Sequence, residues 1–251
     1  AIDTGHSSTS IGAALGLAKA RDIRGENHKV FAVIGDGALS GGMAYEALNN
    51  AARLKSNLII VLNDNQMSIA KNVGGMSRYL GKIRTNRNYT GLKEDVEKIL
   101  QKMPHIGSVL THRIRWIKDL IKRVLIPGML FEDMGITYIG PIDGHDVRQM
   151  VYAFESAAKS SRAVLVHVST QKGKGYPPAQ KDPSAFHGVA PFHIKDGKER
   201  YKGEKALTYT EVFSRVIVEA AGKDENITAI SAAMPQGTGL SAFAREYPKR
   251  F

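Results

Sequence analysis

The chain has 251 residues, of which 43% are hydrophobic, and its 35 Lys and Arg against 24 Asp and Glu give a formal net charge of +11. This length can bury a substantial core and suits one large domain, or one domain with part of a second. The sequence contains no cysteine, which excludes disulfides and thiolate metal sites and fits a reducing compartment. It has no apolar run approaching about 18 residues and no signal-peptide pattern, so we expect a soluble, cytoplasmic protein.

The excess positive charge raises the question of nucleic-acid binding. It is concentrated in residues 82–123, which hold eleven Lys and Arg against four acids. That segment has only Tyr89 and Trp116 to stack on bases, and it lacks a glycine-rich phosphate loop. We therefore expect a solvated helical face or steering of anionic substrates, with neither a nucleic-acid nor a membrane partner.

The first predicted element follows a segment rich in hydroxyl groups, residues 5–10. The Ala- and Leu-rich residues 11–21 predict a helix, whose N-terminal end would offer free backbone N–H groups to an anion. Taken alone, residues 5–10 also fit an ordinary helix cap.

Two apolar runs come next, residues 30–34 and 58–62, and each ends in a polar loop. Apolar runs bounded by Gly, Asp and Asn predict buried parallel strands, and the Ala-rich residues 42–53 between them predict a crossover helix. This unit places Asp36, from Gly-Asp-Gly, and Asn65, from Asn-Asp-Asn, at the carboxyl ends of neighbouring strands, where open α/β sheets bind ligands.

The chemistry of these two loops favours a metal–diphosphate site. A carboxylate and an amide oxygen suit a hard divalent ion, above all magnesium, that accepts phosphate as a further ligand. The glycines beside Asp36 let a diphosphate approach the backbone closely. Alone, Gly-Asp-Gly is typical of a turn and Asn-Asp-Asn of a loop that closes its own hydrogen bonds, but their pairing on two strand ends is more specific.

The rest of the chain continues the alternation of helices and strands. Residues 78–126 are charged and amphipathic, which predicts a helical insertion, and the polar residues 182–207 are typical of a linker. The further predicted elements are helices over 131–134, 147–160 and 208–221, strands over 137–139, 163–168 and 226–232, a loop over 234–239, and a last amphipathic stretch.

Together these elements predict an α/β protein with a parallel sheet and helices on both faces, followed by the start of a second α/β domain. The predicted bounds are residues 1–181 for the first domain, 182–207 for the linker and 208–251 for the second domain. One helix, one strand and a further helix cannot cover both faces of a sheet. We therefore expect the second domain to be truncated.

With its motifs laid out, the chain resembles the 1-deoxy-D-xylulose-5-phosphate synthase family of transketolase-like, thiamine-diphosphate-dependent enzymes. The resemblance runs essentially end to end. The first three matching segments suit several transketolase relatives, and the other four in combination are typical of the synthase. The segments are residues 5–10, 35–44, 61–69, 138–146, 172–176, 186–189 and 233–240.

The resemblance implies a thiamine-diphosphate-binding fold and a transferase reaction. Pyruvate would condense with D-glyceraldehyde 3-phosphate to give 1-deoxy-D-xylulose 5-phosphate and carbon dioxide, which serves isoprenoid, thiamine and pyridoxal biosynthesis. The cofactor performs the organic step, and the protein positions and tunes it. The resemblance further implies a homodimer for the complete enzyme.

The resemblance also implies a set of site residues. Magnesium would be bound by the side chains of Asp36 and Asn65 and the backbone carbonyl of Met67. His187 would move a proton near the reacting centre, and Lys172 would neutralise phosphate charge; without the motif, both are ordinary loop residues. The residues that would contact the cofactor are Gly5, His6, Ser7, Gly37, Ala38, Asn65, Ile69, Lys172 and Tyr176.

Two departures from the family pattern leave alternatives open. The family has a preceding stretch with active-site histidines, and it places the glutamate that activates the cofactor beyond residue 251. We therefore expect a fragment that is inactive, or weakly active, alone. One alternative is the cofactor-binding half-subunit of a split transketolase-like enzyme, which predicts a natural stop near residue 200. Another is a different transketolase-family enzyme, which the matches at 186–189 and 233–240 disfavour.

Overall fold

The computed structural model describes residues 5–54, 56–67, 72–85, 129–198, 200, 206–232 and 234–251. These residues form two compact units, one ending at Thr170 and one beginning at Gln171. The domain bounds predicted above stay a prediction. Of the predicted insertion, residues 78–126, the structure describes residues 78–85, and residues 86–126 lie outside the described residues.

The first unit is built on a parallel sheet of four strands in the order β1-β2-β4-β3. In register, Gly35 pairs with Asn63, while Ser169 pairs with both Asp64 and Asp143. The four strands therefore end at one edge, and the predicted strands are confirmed with small shifts at their ends. The strands are β1 (Phe31–Gly35), β2 (Ile59–Asp64), β3 (Thr137–Asp143) and β4 (Val164–Ser169).

Helices connect and cover these strands. The four predicted helices of this unit are confirmed, with ends that differ by at most two residues from the predicted ones. The short helix α2 and the described helix α4 were not predicted as separate elements. The helices are α1 (Ser10–Ile23), α2 (Asp36–Leu39), α3 (Gly42–Leu54), α4 (Gly75–Thr85), α5 (Met129–Asp133) and α6 (Val147–Ala158).

Alternate strand residues point to opposite faces of the sheet, and helices pack on both faces, although Phe31 and Val33 of β1 stay exposed on one of them. Ile60 and Leu62 pack with residues of α1 and α3 in one hydrophobic cluster. Ile59, Val164 and Val166 pack with residues of α6 in another. This arrangement confirms the predicted α/β fold with a parallel sheet and helices on both faces.

The second unit contains α7 (Pro177–Lys181), α8 (Tyr209–Lys223) and α9 (Ser241–Glu246). The helix predicted over 208–221 is confirmed, and a reciprocal capping pair of Thr208 and Glu211 fixes its start. The strand predicted over 226–232 is wrong, because no described residue of that range is in a strand. A strand needs a partner for its backbone groups. Here the Ala229 N–H donates instead to the carbonyl of Arg250, at 3.0 Å.

Within the described ranges, no helix is both long and apolar enough to cross a membrane.

Candidate active site

Asp36 is the residue around which the candidate site is built. It is the first residue of α2, directly after β1, and only 6% of it is exposed. The side-chain amide of Asn72 donates to its Oδ2 atom at 2.8 Å. Backbone hydrogen bonds from Gly37 and Gln66 also reach this carboxyl group. Gln66 and Asn72, which follow β2 in the chain, therefore lie against the end of β1.

A second carboxyl group, that of Asp64, lies beside Asp36, close enough to accept a hydrogen bond from it when Asp36 is protonated. Burial raises the pKa of Asp36 to about 6, helped by the hydrogen bond and the negative charge of Asp64. Burial also acts to raise the pKa of Asp64, but hydrogen bonds from His167 and Asp36 and the Arg84 charge outweigh it and lower that pKa to about 2. At neutral pH two negative charges therefore lie side by side, an arrangement that a bound cation would relieve.

The remaining residues of the predicted metal site supply further oxygen atoms. The side-chain oxygen of Asn65 accepts a hydrogen bond from the Met67 N–H at 3.0 Å, which closes a local turn of the kind expected for Asn-Asp-Asn. In the part of the chain that the structure describes, no cluster of three His, Cys, Asp or Glu side chains could hold a metal. A cation at Asp36 would therefore draw on amide, carbonyl and phosphate oxygens, which suits magnesium.

The segment before α1 lies against the Gly-Asp-Gly loop. The Ser8 hydroxyl donates to the Ala38 carbonyl at 2.7 Å. Gly41 makes this approach possible, since a Cβ atom there would lie 2.9 Å from the Cβ of Ser8. The contact brings the segment that carries His6 and Ser7 next to the backbone of Ala38. Among the described residues, the N-cap Thr9 makes no side-chain hydrogen bond to the first turn of α1, and its hydroxyl donates to the His6 carbonyl at 3.1 Å.

Three other predicted site residues lie in the second unit. Lys172 Nζ and His187 Nδ1 are 2.9 Å apart, and because an ammonium group only donates, the imidazole nitrogen is the acceptor. The Tyr176 hydroxyl donates to the Ile194 carbonyl at 2.8 Å. The Tyr176 ring packs edge-on against Phe186, with ring centroids 5.6 Å apart. The structure thus pairs the two predicted catalytic residues with each other. The predicted Ile69 lies outside the described residues.

Sequence reasoning missed a group of polar residues behind Asp36. Asp64, His167 and Tyr138 are buried, and the fourth member, Arg84, has a side chain that is 17% exposed. One signal was available, because His167 interrupts an otherwise apolar strand, residues 163–168. A cavity of about 230 Å³ also opens beside Arg84 at the ends of β3 and β4, and none of the predicted site residues lines it.

The raised pKa of Asp36 predicts how pH affects the metal-free protein. With its pKa near 6 instead of 3.8, the folded state holds this proton more tightly than the unfolded state does. This tighter proton binding stabilises the folded state fully below about pH 4, and the stabilisation is lost as the pH rises through about 6. Asp36→Asn keeps a neutral group of the same shape and is expected to avoid this loss. The free energy of unfolding of Asp36→Asn should therefore exceed that of the wild type by an amount that grows from pH 4 to pH 7 and reaches at most about 3 kcal/mol.

Thermal unfolding of wild type and Asp36→Asn, in chelator at several pH values, measures this difference. An advantage of the variant that did not change between about pH 4 and 7 would contradict the assigned shift.

The fold and the site together define an α/β protein that gathers carboxylate and amide oxygens at the carboxyl edge of a parallel sheet, where this class binds its ligands. Residues 1–170 match the family model described as 1-deoxy-D-xylulose-5-phosphate synthase. The chain therefore belongs to the 1-deoxy-D-xylulose-5-phosphate synthase family.

Curated relatives with that name match the whole chain. The protein from Lachnoclostridium phytofermentans is 58% identical over 251 residues, and that from Natranaerobius thermophilus is 52% identical over 251 residues. In both comparisons this chain is covered completely and the relative to 40%, so the chain spans about 40% of the length of these relatives. A solved structure of transketolase from Campylobacter jejuni is 22% identical, with a TM-score of 0.42 over 96% of this chain and 29% of that one.

Proposed function

We propose that this chain supplies the metal–diphosphate half of the active site of a thiamine-diphosphate-dependent 1-deoxy-D-xylulose-5-phosphate synthase. The enzyme would condense pyruvate with D-glyceraldehyde 3-phosphate and release carbon dioxide. Membership of the family supports this reaction class. The observation that carries the proposal is the buried carboxyl group of Asp36, which lies beside Asp64 at the ends of two parallel strands.

Magnesium would be held by the side chains of Asp36 and Asn65 and by the Met67 carbonyl. All three are oxygen donors, as this ion prefers. Gly37 and Ala38 would present their backbone to the diphosphate, with Gly5, His6 and Ser7 alongside. The contact between Ser8 and Ala38 supports this placement because it joins the two segments. When bound, thiamine diphosphate would supply the nucleophilic carbon for the reaction.

Lys172 and His187 would divide two tasks between them. The Lys172 ammonium is a compact positive charge suited to phosphate oxygens. By donating to His187 Nδ1, it leaves the proton of the neutral imidazole on Nε2, and this atom would then hold or move a proton near the substrate. Tyr176 and Ile69 would complete the contacts to the cofactor.

We further propose a homodimer in the cytoplasm for the complete gene product. The alternative is the cofactor-binding half-subunit of a split enzyme, which would need a partner chain. The size and the activity of the complete gene product distinguish the homodimer from the half-subunit. A product that forms 1-deoxy-D-xylulose 5-phosphate without another polypeptide would exclude the half-subunit.

Calorimetry with thiamine diphosphate, with and without magnesium, tests the cofactor assignment. We expect binding to be at least about tenfold weaker in chelator, since the diphosphate and the carboxylates repel each other unless a cation lies between them. Magnesium-saturated and chelated samples should be matched in ionic strength, because screening also reduces this repulsion. Equal dissociation constants in the two samples would show that Asp36 and Asn65 do not bind a metal for the cofactor.

A further inference from the structure

Behind Asp36 lies a row of buried polar side chains that the proposed function does not use. The Tyr138 hydroxyl lies 2.7 Å from Nδ1 of His167, and Nε2 of His167 lies 3.0 Å from Oδ2 of Asp64. Tyr138 is 1% exposed, and Asp64 and His167 are fully buried. Arg84 forms an ion pair with Asp64 and donates to both of its carboxylate oxygens.

The hydrogen bonds of this row all point toward Asp64. An ionised Asp64 can only accept, so Nε2 of His167 carries the proton that it donates to the carboxylate. In a neutral ring, Nδ1 of His167 is then an acceptor and receives the Tyr138 hydroxyl. Arg84 donates from the other side. Each of these donors is therefore aimed, directly or through His167, at a single carboxylate, which also accepts from the Gln66 N–H at 3.1 Å and lies beside Asp36.

Packing keeps this row in place. Tyr138 stacks on the buried ring of Phe131, with centroids 6.0 Å apart and an interplanar angle of 5°. On the neighbouring part of β3, Gly140 lets the backbone lie against β4, since a Cβ atom there would come within 2.5 Å of the His167 carbonyl oxygen. Apolar residues would fill such a position in a sheet at least as stably, because buried ion pairs contribute little to folding. Stability alone therefore does not account for the row.

We propose that Tyr138, His167 and Arg84 are positioning residues that fix the Asp64 carboxylate and, through it, hold Asp36 in the orientation that binds the divalent cation. The inference rests on the proposed function for the identity of the site. Partners behind a metal ligand orient it and commonly change metal affinity by about 10- to 100-fold. Here the partners lie one carboxylate further back, and their effect passes through Asp64, which lies beside Asp36 and accepts, as Asp36 does, a hydrogen bond from the Gln66 N–H.

The test measures magnesium affinity and thermal stability in the complete gene product that contains residues 1–251. His167→Leu removes both hydrogen bonds of the imidazole, Tyr138→Phe removes one hydroxyl, and His167→Gln restores a donor toward Asp64. Phe131→Leu is the matched control, because it disturbs the same packing without touching the polar row. Titration of MgCl₂ by calorimetry gives the affinity, and the spectrum of bound Mn²⁺ reports the geometry of the site.

We expect His167→Leu to weaken magnesium binding by about 10- to 100-fold, Tyr138→Phe to weaken it less, and His167→Gln to recover part of the loss. Phe131→Leu should lower the melting temperature and leave the affinity within about twofold. If Tyr138→Phe, and His167→Leu where it folds, bind magnesium as the wild type does, the row is structural only and the inference is overturned. A wild type that binds no magnesium would instead overturn the proposed function, and this inference with it.

Discussion

Replacing Asp36 with alanine is expected to raise the dissociation constant of magnesium–thiamine diphosphate by at least about 100-fold, since loss of a direct ligand should exceed the roughly 10- to 100-fold effect of outer partners. Asp36 is the predicted ligand that carries a full charge, and it lies beside a second carboxylate. Without it, Asn65 and Met67 offer only neutral oxygens. Calorimetry with saturating magnesium measures the change directly.

The chain offers a matched control for this variant. Asp143 also ends a strand of the same sheet at the same edge, but it is exposed, and its side chain accepts a hydrogen bond from the His145 N–H of its own loop. Asp143→Ala should therefore leave cofactor binding unchanged. A similar loss in both variants would point to general weakening of the strand ends. An unchanged dissociation constant in Asp36→Ala would refute the metal assignment.

The second large effect concerns Lys172 and His187. Lys172→Ala is expected to weaken cofactor binding by roughly 10- to 150-fold, because a charge-assisted contact to phosphate contributes about 1.5–3 kcal/mol. His187→Ala is expected to lower kcat by about 10²- to 10⁴-fold with little change in cofactor affinity, as for a group that acts in the transition state. Binding and steady-state kinetics on the complete gene product separate the two effects.

The hydrogen bond between the two side chains modifies this division. Because Lys172 holds Nδ1 of His187 as an acceptor, Lys172→Ala should also lower kcat, although less than His187→Ala does. Lys174→Ala and His193→Ala are the controls, since they remove the same groups from exposed positions nearby. If neither Lys172→Ala nor His187→Ala differs from its control, both residues are ordinary loop positions.

The sequence was sufficient to predict the sheet and the place of Asp36, because the signals for both are local. A run of apolar residues followed by Gly-Asp-Gly or Asn-Asp-Asn contains the strand and its end within a few residues. The strand predicted over 226–232 failed for the opposite reason. Its apolar residues are compatible with a strand, but a strand also needs a pairing partner, which no local pattern can supply.

The polar row behind Asp36 was beyond such reasoning because it joins distant parts of the chain. Asp64 and His167 are 103 residues apart, and only the pairing of β2 with β4 brings them together. Asp64 also sits between two asparagines in the motif, so the pattern drew attention to Asn65 and not to its neighbour. Alternation along the strand turns successive side chains to opposite sides, which gives Asp64 and Asn65 different surroundings.

The strands that lead into the site differ in how many hydrogen-bonded neighbours they have in the described sheet. β2 and β4 each have a hydrogen-bonded strand on both sides, whereas β1, which leads into Asp36, is paired on one side only, with Val33 63% exposed. Local opening starts where fewer backbone hydrogen bonds must break. In the described sheet we therefore expect the β1 side of the site to open before the β2 side, to which Asp64 belongs. A cation bound by Asp36 after β1 and by Asn65 after β2 would therefore mainly order the β1 side, while the central strands would stay as they are.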